Sequence, residues 1–162
     1  WGVAVPAAAG AGGATFFRGY NINGDATVID GRKWEGKKSP HLASSDGYEF
    51  PSVPLNPPSD DARTAMIRSF AWQKGSTVVK VSQVPAGTYL VYLYVWENDN
   101  PEVFDLFVQG KEVLKGYNSG PAGHWEKLGP WTAAVAADGV LQIHSSGGDA
   151  NFSGLEIWKS GK

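Results

Sequence analysis

Residues 86–118 read AGTYLVYLYVWENDNPEVFDLFVQGKEVLKGYN, and this stretch decides the fold. Pro85, Ala86 and Gly87 form a turn signal. TYLVYLYVW (88–96) follows and is apolar on both faces, which suits a strand covered on both sides rather than an edge strand. EVFDLFVQG (102–110) alternates instead. Phe104, Leu106 and Val108 share one face, while Asp105 and Gln109 share the other, which is the two-residue period of a half-buried strand. KEVLKG (111–116) returns across Gln109-Gly110 as a hairpin.

The same punctuation continues in both directions. STVVKVSQV (76–84), HWEKLGPWTAAV (124–135), GVLQIHSS (139–146) and SGLEIW (153–158) read as strands, with Asp138-Gly139 as a further hairpin turn. Upstream, FFRGYNI (16–22) and ATVID (26–30) are short strands separated by Asn23-Gly24-Asp25. ARTAMIRSFAW (62–72) is ambiguous by propensity and reads mainly as strand. Residues 36–60 form a long irregular stretch with Pro40, Pro51, Pro54, Pro57 and Pro58. A loop of that length in a compact domain is usually functional or wraps around the fold. The count is about nine strands with no long helix, an all-β sandwich of jelly-roll topology. Trp96, Trp158, Tyr89, Leu93, Phe104 and Leu106 are its expected core.

WGVAVPAAAGAGGA (1–14) is a low-complexity Ala/Gly linker or terminal arm, leaving one sandwich domain over 15–162. The sequence begins at Trp1 rather than Met. Together these suggest one module of a longer protein.

Composition excludes several functions. The net charge is -2 and the charged fraction is 19%, which argues against a nucleic-acid partner, since that would need a basic face. No apolar run approaches the roughly 20 residues of a membrane span. The chain has no Cys, so disulfides, thiol chemistry and cysteine zinc sites are out. His41, His124 and His144 show no metal-ligand spacing, and there is no nucleophile elbow. Carboxylates that could serve a glycosidase occur in ENDNPE (Glu97, Asp99, Glu102) and at Asp30 with Glu35. Acids beside turns are mostly solvated surface groups, so a non-catalytic domain without a cofactor is the preferred reading. ENDNPE also gathers oxygens that could hold a structural Ca²⁺; without EF-hand spacing, a polar connection between strands is preferred.

The aromatic residues remain: 7 Trp, 6 Tyr and 7 Phe. Trp34, Trp72, Trp125 and Trp131 lie near strand ends or turns, and Tyr48 lies in the long loop. Each alone is more often packing than ligand contact. Trp34 stands in IDGRKWEGKK (29–38), among charges that would keep the segment at the surface. A pyranose has C–H faces that an indole or phenol ring covers favourably. Asp, Asn and Gln side chains can then fix its hydroxyls. Such a site needs rings and a few polar groups on loops, and no nucleophile.

The 86–118 block resembles the central part of malectin and malectin-like domains, with a G-x-Y strand start, an acidic loop and an FD…G hairpin. NINGDATVIDGRKWEG (21–36) resembles the family's opening strands, and GGDANFSGLEIW (147–158) its closing strand. The three blocks, in order, cover roughly residues 18–158. The resemblance implies a β-sandwich that binds carbohydrate through loop aromatics, without catalysis. It places ligand contacts at Trp34 (where the family has Tyr), Tyr48, Phe70 or Trp72, and Asp149. Asn151 and Asp30 are added as hydroxyl partners. The sequence also resembles sandwich modules appended to bacterial polysaccharide-degrading enzymes.

The expectation is therefore a carbohydrate-binding module attached to a catalytic domain of a secreted bacterial enzyme, with a glucan, xylan or similar polysaccharide as partner. The alternatives are an adhesive or protein-binding sandwich and a small hydrolase or lyase using the ENDNPE acids.

Overall fold

The computed structural model describes residues 13–161. Apart from Gly13 and Ala14, the expected Ala/Gly arm lies outside the described residues. The elements run β1 (Thr15–Asn21), β2 (Thr27–Ile29), β3 (Arg32–Trp34), β4 (Leu42–Ser44), β5 (Gly47–Glu49), α1 (Asp61–Arg68) and β6 (Ser69–Trp72). Then come β7 (Val78–Val81), β8 (Gly87–Trp96), β9 (Val103–Val108), β10 (Lys111–Asn118), β11 (Trp125–Val135), β12 (Leu141–Gly147) and β13 (Asn151–Lys159).

Two antiparallel sheets form the sandwich. One has the order β11-β8-β13-β6-β5, and the other β10-β9-β12-β7-β4. In the first sheet β13 is paired along one edge to β8. Its other edge is shared: Asn151 and Phe152 meet β6, and residues 154–159 meet β1. So β1 and β6 lie end to end beside β13. Gln109 and Gly110 both take positive φ, 53° and 76°, the backbone that a tight two-residue hairpin requires. The β9–β10 hairpin expected there is present.

Three strands go beyond those expected: β3, which follows the Asp30-Gly31 turn and pairs with β2, and β4 and β5, which the proline-rich stretch supplies and which pair with β7 and β6. Two expectations are corrected. Residues 61–68 are helical, and only 69–72 continue as strand. Asp60 caps the helix by accepting from Arg63 N at 2.9 Å. Asp61 and Arg68 sit at the dipole ends that suit their charges. Ala62, Arg63, Ala65, Met66 and Arg68 are strong helix formers, and this local preference outweighs the strand-like tail. Asp138-Gly139 is not a hairpin turn, because β11 and β12 belong to different sheets.

The strand β8 has two cores, which explains why it is apolar on both faces. Val91, Leu93 and Val95 point between the sheets and pack with Phe104, Leu106 and Ile143. Tyr94 and Trp96 point outward into a second cluster with Trp34, Met66, Ile67 and Phe70. That outer cluster is covered by α1, the β2–β3 hairpin and the long loop. Arg68 Nε donates to Val53 O at 2.8 Å, and Ser153 Oγ donates to Ile67 O at 2.6 Å. These bonds fasten loop and helix to the sheet. Each large side chain buried this way stabilises the fold by roughly 1.5–3 kcal/mol. Trp96, Trp158, Tyr89, Leu93, Phe104 and Leu106 are all buried, as expected.

Candidate functional site

The outer cluster opens at one end into a cleft of about 220 Å³. It lies where β8 ends, β13 begins and β6 ends. Tyr48 of β5 and Phe70 of β6 are register partners, and Trp72 lies one pleat further along the same face. Tyr48 meets Trp72 edge-on at 5.6 Å, and Phe50 stacks on Phe70 at 5.9 Å. Phe70 in turn packs edge-on against Trp96 at 5.5 Å. Phe70 and Trp96 are thus a buried foundation. The rings above them remain open: Tyr48 is 42% and Phe50 44% exposed, and Trp72 is half-buried.

The rest of the lining is polar. Glu97, Asn98, Asp99 and Glu102 come from the β8–β9 loop, and Asp149 and Asn151 from the start of β13. The loop is pinned from within. Glu97 Oε1 accepts from the backbone N–H groups of Asn98 and Asp99, at 3.0 and 3.1 Å, and its Oε2 accepts from Ser119 Oγ at 2.6 Å. Ser119 Oγ also accepts from Glu102 N at 2.8 Å. Glu102 Oε2 accepts from Asp149 N at 3.2 Å, and Asp149 Oδ1 from Gly75 N at 2.8 Å. Asn151 Nδ2 donates to Asn98 Oδ1 at 2.8 Å. The polar groups are therefore oriented before any ligand arrives.

Glu97 is only 2% exposed. Burial disfavours its charged form and pushes its carboxyl up to about 7, against the opposing hydrogen bonds from Ser119 and the Asp99 backbone. Among the described residues no group of three or more His, Asp or Glu side chains converges to hold a metal ion.

Five of the seven residues expected at a site come together here: Tyr48, Phe70, Trp72, Asp149 and Asn151. Two do not. Trp34 is 2% exposed and lies in the outer core, edge-on to Tyr94 at 5.9 Å. Gly19 and Gly154 make the space for its indole. A Cβ on Gly19 would fall 2.7 Å from three atoms of the indole. The neighbouring charges hold the hairpin at the surface, but the ring turns inward and offers no face to a ligand. Asp30 stands at the β2–β3 turn with φ 52° and is ion-paired with Arg63 of α1. It serves to dock the hairpin on the helix and does not line the cleft.

Phe50 was not anticipated. It sits in an irregular proline-flanked segment with no periodicity to mark it. Asn98, Glu97, Asp99 and Glu102 were legible as a polar loop, but their place in one cleft with Trp72 depends on how β8 and β13 align in the sheet.

No protein-family model matches the sequence, and no curated protein matches it. Solved structures match in shape. The ANXUR1 extracellular domain from Arabidopsis thaliana superposes with a TM-score of 0.70 at 14% identity, over 91% of this chain and 49% of that one. The structure of the plant peptide RALF23 in complex with FER and LLG2 matches with a TM-score of 0.63 at 12% identity, over 89% of this chain and 48% of that one. Bacteroides uniformis β-glucuronidase 2 matches with a TM-score of 0.65 at 12% identity, over 86% of this chain but 17% of that one. The chain spans about half the length of the plant ectodomain chains it matches. The fold is a malectin-like β-sandwich. Among the described residues no helix is long and apolar enough to cross a membrane.

Proposed function

We propose that this domain is a non-catalytic carbohydrate-binding module of an extracellular, polysaccharide-active protein. One observation carries the reading: the open rings of Tyr48, Phe50 and Trp72 share a cleft with the pre-oriented polar groups of Asn98, Asp99, Glu102, Asp149 and Asn151. Rings cover the C–H face of a pyranose, and the polar groups supply hydroxyl partners. The match to a minor part of a β-glucuronidase supports a modular setting. Against catalysis stands the state of Glu97. Its carboxyl is moved into the range of a general acid, yet both of its oxygens are already hydrogen-bonded to the protein.

A single shallow site gives weak binding, with Kd on the order of µM to mM, or about -8 to -4 kcal/mol. Attachment to a second module supplies avidity. Calorimetry against a panel of soluble glucans, xylans, mannans and their amino-sugar counterparts tests the proposal, with Trp72→Ala as the control that loses the signal. A folded domain that binds none of them refutes it. A second reading, a peptide or protein partner, is favoured by the match to a structure containing RALF23, FER and LLG2. It predicts a binding partner in pull-down and no sugar response.

A further inference from the structure

The cleft carries an unbalanced charge. Four carboxylates line it, on Glu97, Asp99, Glu102 and Asp149, and no Lys, Arg or His does. None of the four takes part in an ion pair among the described residues. Paired or well-solvated acids would be an ordinary surface feature. These are different, because backbone N–H groups hold three of them, each through one oxygen, and Asp99 also lies against the Glu97 carboxyl. Asp99 Oδ1 accepts from Asn100 N at 2.7 Å, Glu102 Oε2 from Asp149 N, and Asp149 Oδ1 from Gly75 N. The remaining oxygens of Glu102 and Asp149, Oε1 and Oδ2, accept no hydrogen bond from the described residues. The acids are held by the backbone and keep acceptor capacity for a ligand. The same cleft holds aromatic rings, whose faces attract cations as well as C–H groups.

We propose that the cleft selects an amino sugar: a glucosamine-type residue lays its C–H face on the Tyr48–Trp72 wall and places its protonated amine among Asp99, Glu102 and Asp149. This rests on the carbohydrate reading above and narrows it. The ammonium offers three donors to carboxylates that keep spare acceptor capacity. Uronic acids and sulfated sugars bring like charge into the acid-lined cleft and are rejected. A neutral sugar keeps the stacking but forgoes the charge-assisted bonds. An N-acetylated residue forgoes them too, because its amide nitrogen carries no charge.

The test is calorimetry at pH 6 with four oligosaccharides of equal length: glucosamine, N-acetylglucosamine, glucose and galacturonate oligomers. A lysine-rich peptide is the fifth probe. The proposal expects the glucosamine oligomer to bind about tenfold tighter than the N-acetylated and glucose oligomers. That margin shrinks as salt rises from about 50 to 500 mM, because the screening length falls. The galacturonate oligomer does not bind. Asp149→Asn and Glu102→Gln retain an acceptor for Gly75 N and Asp149 N, so both variants fold. They lose most of the margin, because they lower the affinity for the glucosamine oligomer more than that for the glucose oligomer. Equal binding of charged and neutral sugars, or tighter binding of galacturonate, overturns the proposal while the carbohydrate reading stands. Binding of the peptide with no sugar response overturns both in favour of a protein partner. No binding by any probe overturns both outright.

Discussion

Replacing Trp34 with alanine removes a ring that the fold surrounds on every side. Its residue is 2% exposed, and the indole sits against Tyr94, over the bare backbone of Gly19 and beside Gly154 and Met66. A buried indole removes on the order of 200 Å² from water, which at about 25 cal/mol/Å² corresponds to roughly 5 kcal/mol. Measured costs of Trp→Ala in cores run to about 3–5 kcal/mol, because the hole closes only in part. In a domain of this size each kcal/mol lowers Tm by about 2–4 °C, so the expected fall is roughly 6–20 °C. Thermal and urea unfolding followed by circular dichroism measure it. Trp72→Ala is the companion, since its half-buried ring stands on the cleft wall; it is expected to lose less than about 2 kcal/mol of stability and most of the binding. Should Trp34→Ala keep its Tm and lose only ligand affinity, the indole is at the site after all and the reasoning from burial is wrong.

Gly19→Ala drives a methyl group to 2.7 Å from the Trp34 ring and is expected to destabilise by about 1–3 kcal/mol, a loss that Trp34→Leu partly relieves in urea titrations of the double variant. Asp30→Ala breaks the ion pair with Arg63, costing about 1 kcal/mol or less and leaving calorimetric sugar affinity unchanged; a fall in affinity would return Asp30 to the site. Glu97 gives a pH dependence. Its folded carboxyl titrates at about 7 against 4.5 as the ordinary value, so the folded state holds a proton that the unfolded chain releases. Stability is then greatest below about 4.5, declines as pH rises, and is lost through about 7, by on the order of 3 kcal/mol for this group. Urea midpoints at pH 5 and pH 8 measure the slope, and Glu97→Gln flattens it; an unchanged slope in that variant contradicts the assignment.

The sandwich was legible because its signals are local. Strict alternation in β9 and the Gln109-Gly110 turn need no tertiary knowledge. The double apolar face of β8 was also visible, but what covered its outer face was not. That cover is α1 and the β2–β3 hairpin, brought together by contacts between distant residues such as Arg63 with Asp30 and Ser153 with Ile67. Trp34 shows the same limit. Flanking charges report that the backbone of β3 is near water, while the direction of the ring depends on two glycines in other strands, Gly19 and Gly154. Tyr48, Trp72 and Asp149 could be expected near one another because the resemblance carried their order along the chain. Phe50 escaped because a lone aromatic between prolines has no period, and only the close approach to Phe70 reveals its place.

The central claim is that the Tyr48–Trp72 cleft is where a sugar binds. Backbone and side-chain NMR of the labelled domain, titrated with the glucosamine and glucose oligomers, tests it most directly. The account predicts shifts in the Trp72 indole N–H, the Asn98 and Asn151 side-chain amides and the Asp149 backbone amide, with the Trp34 indole N–H unmoved. Shifts gathered instead around Phe107 and His144, which stack on each other at 4.7 Å in the other sheet, would contradict it.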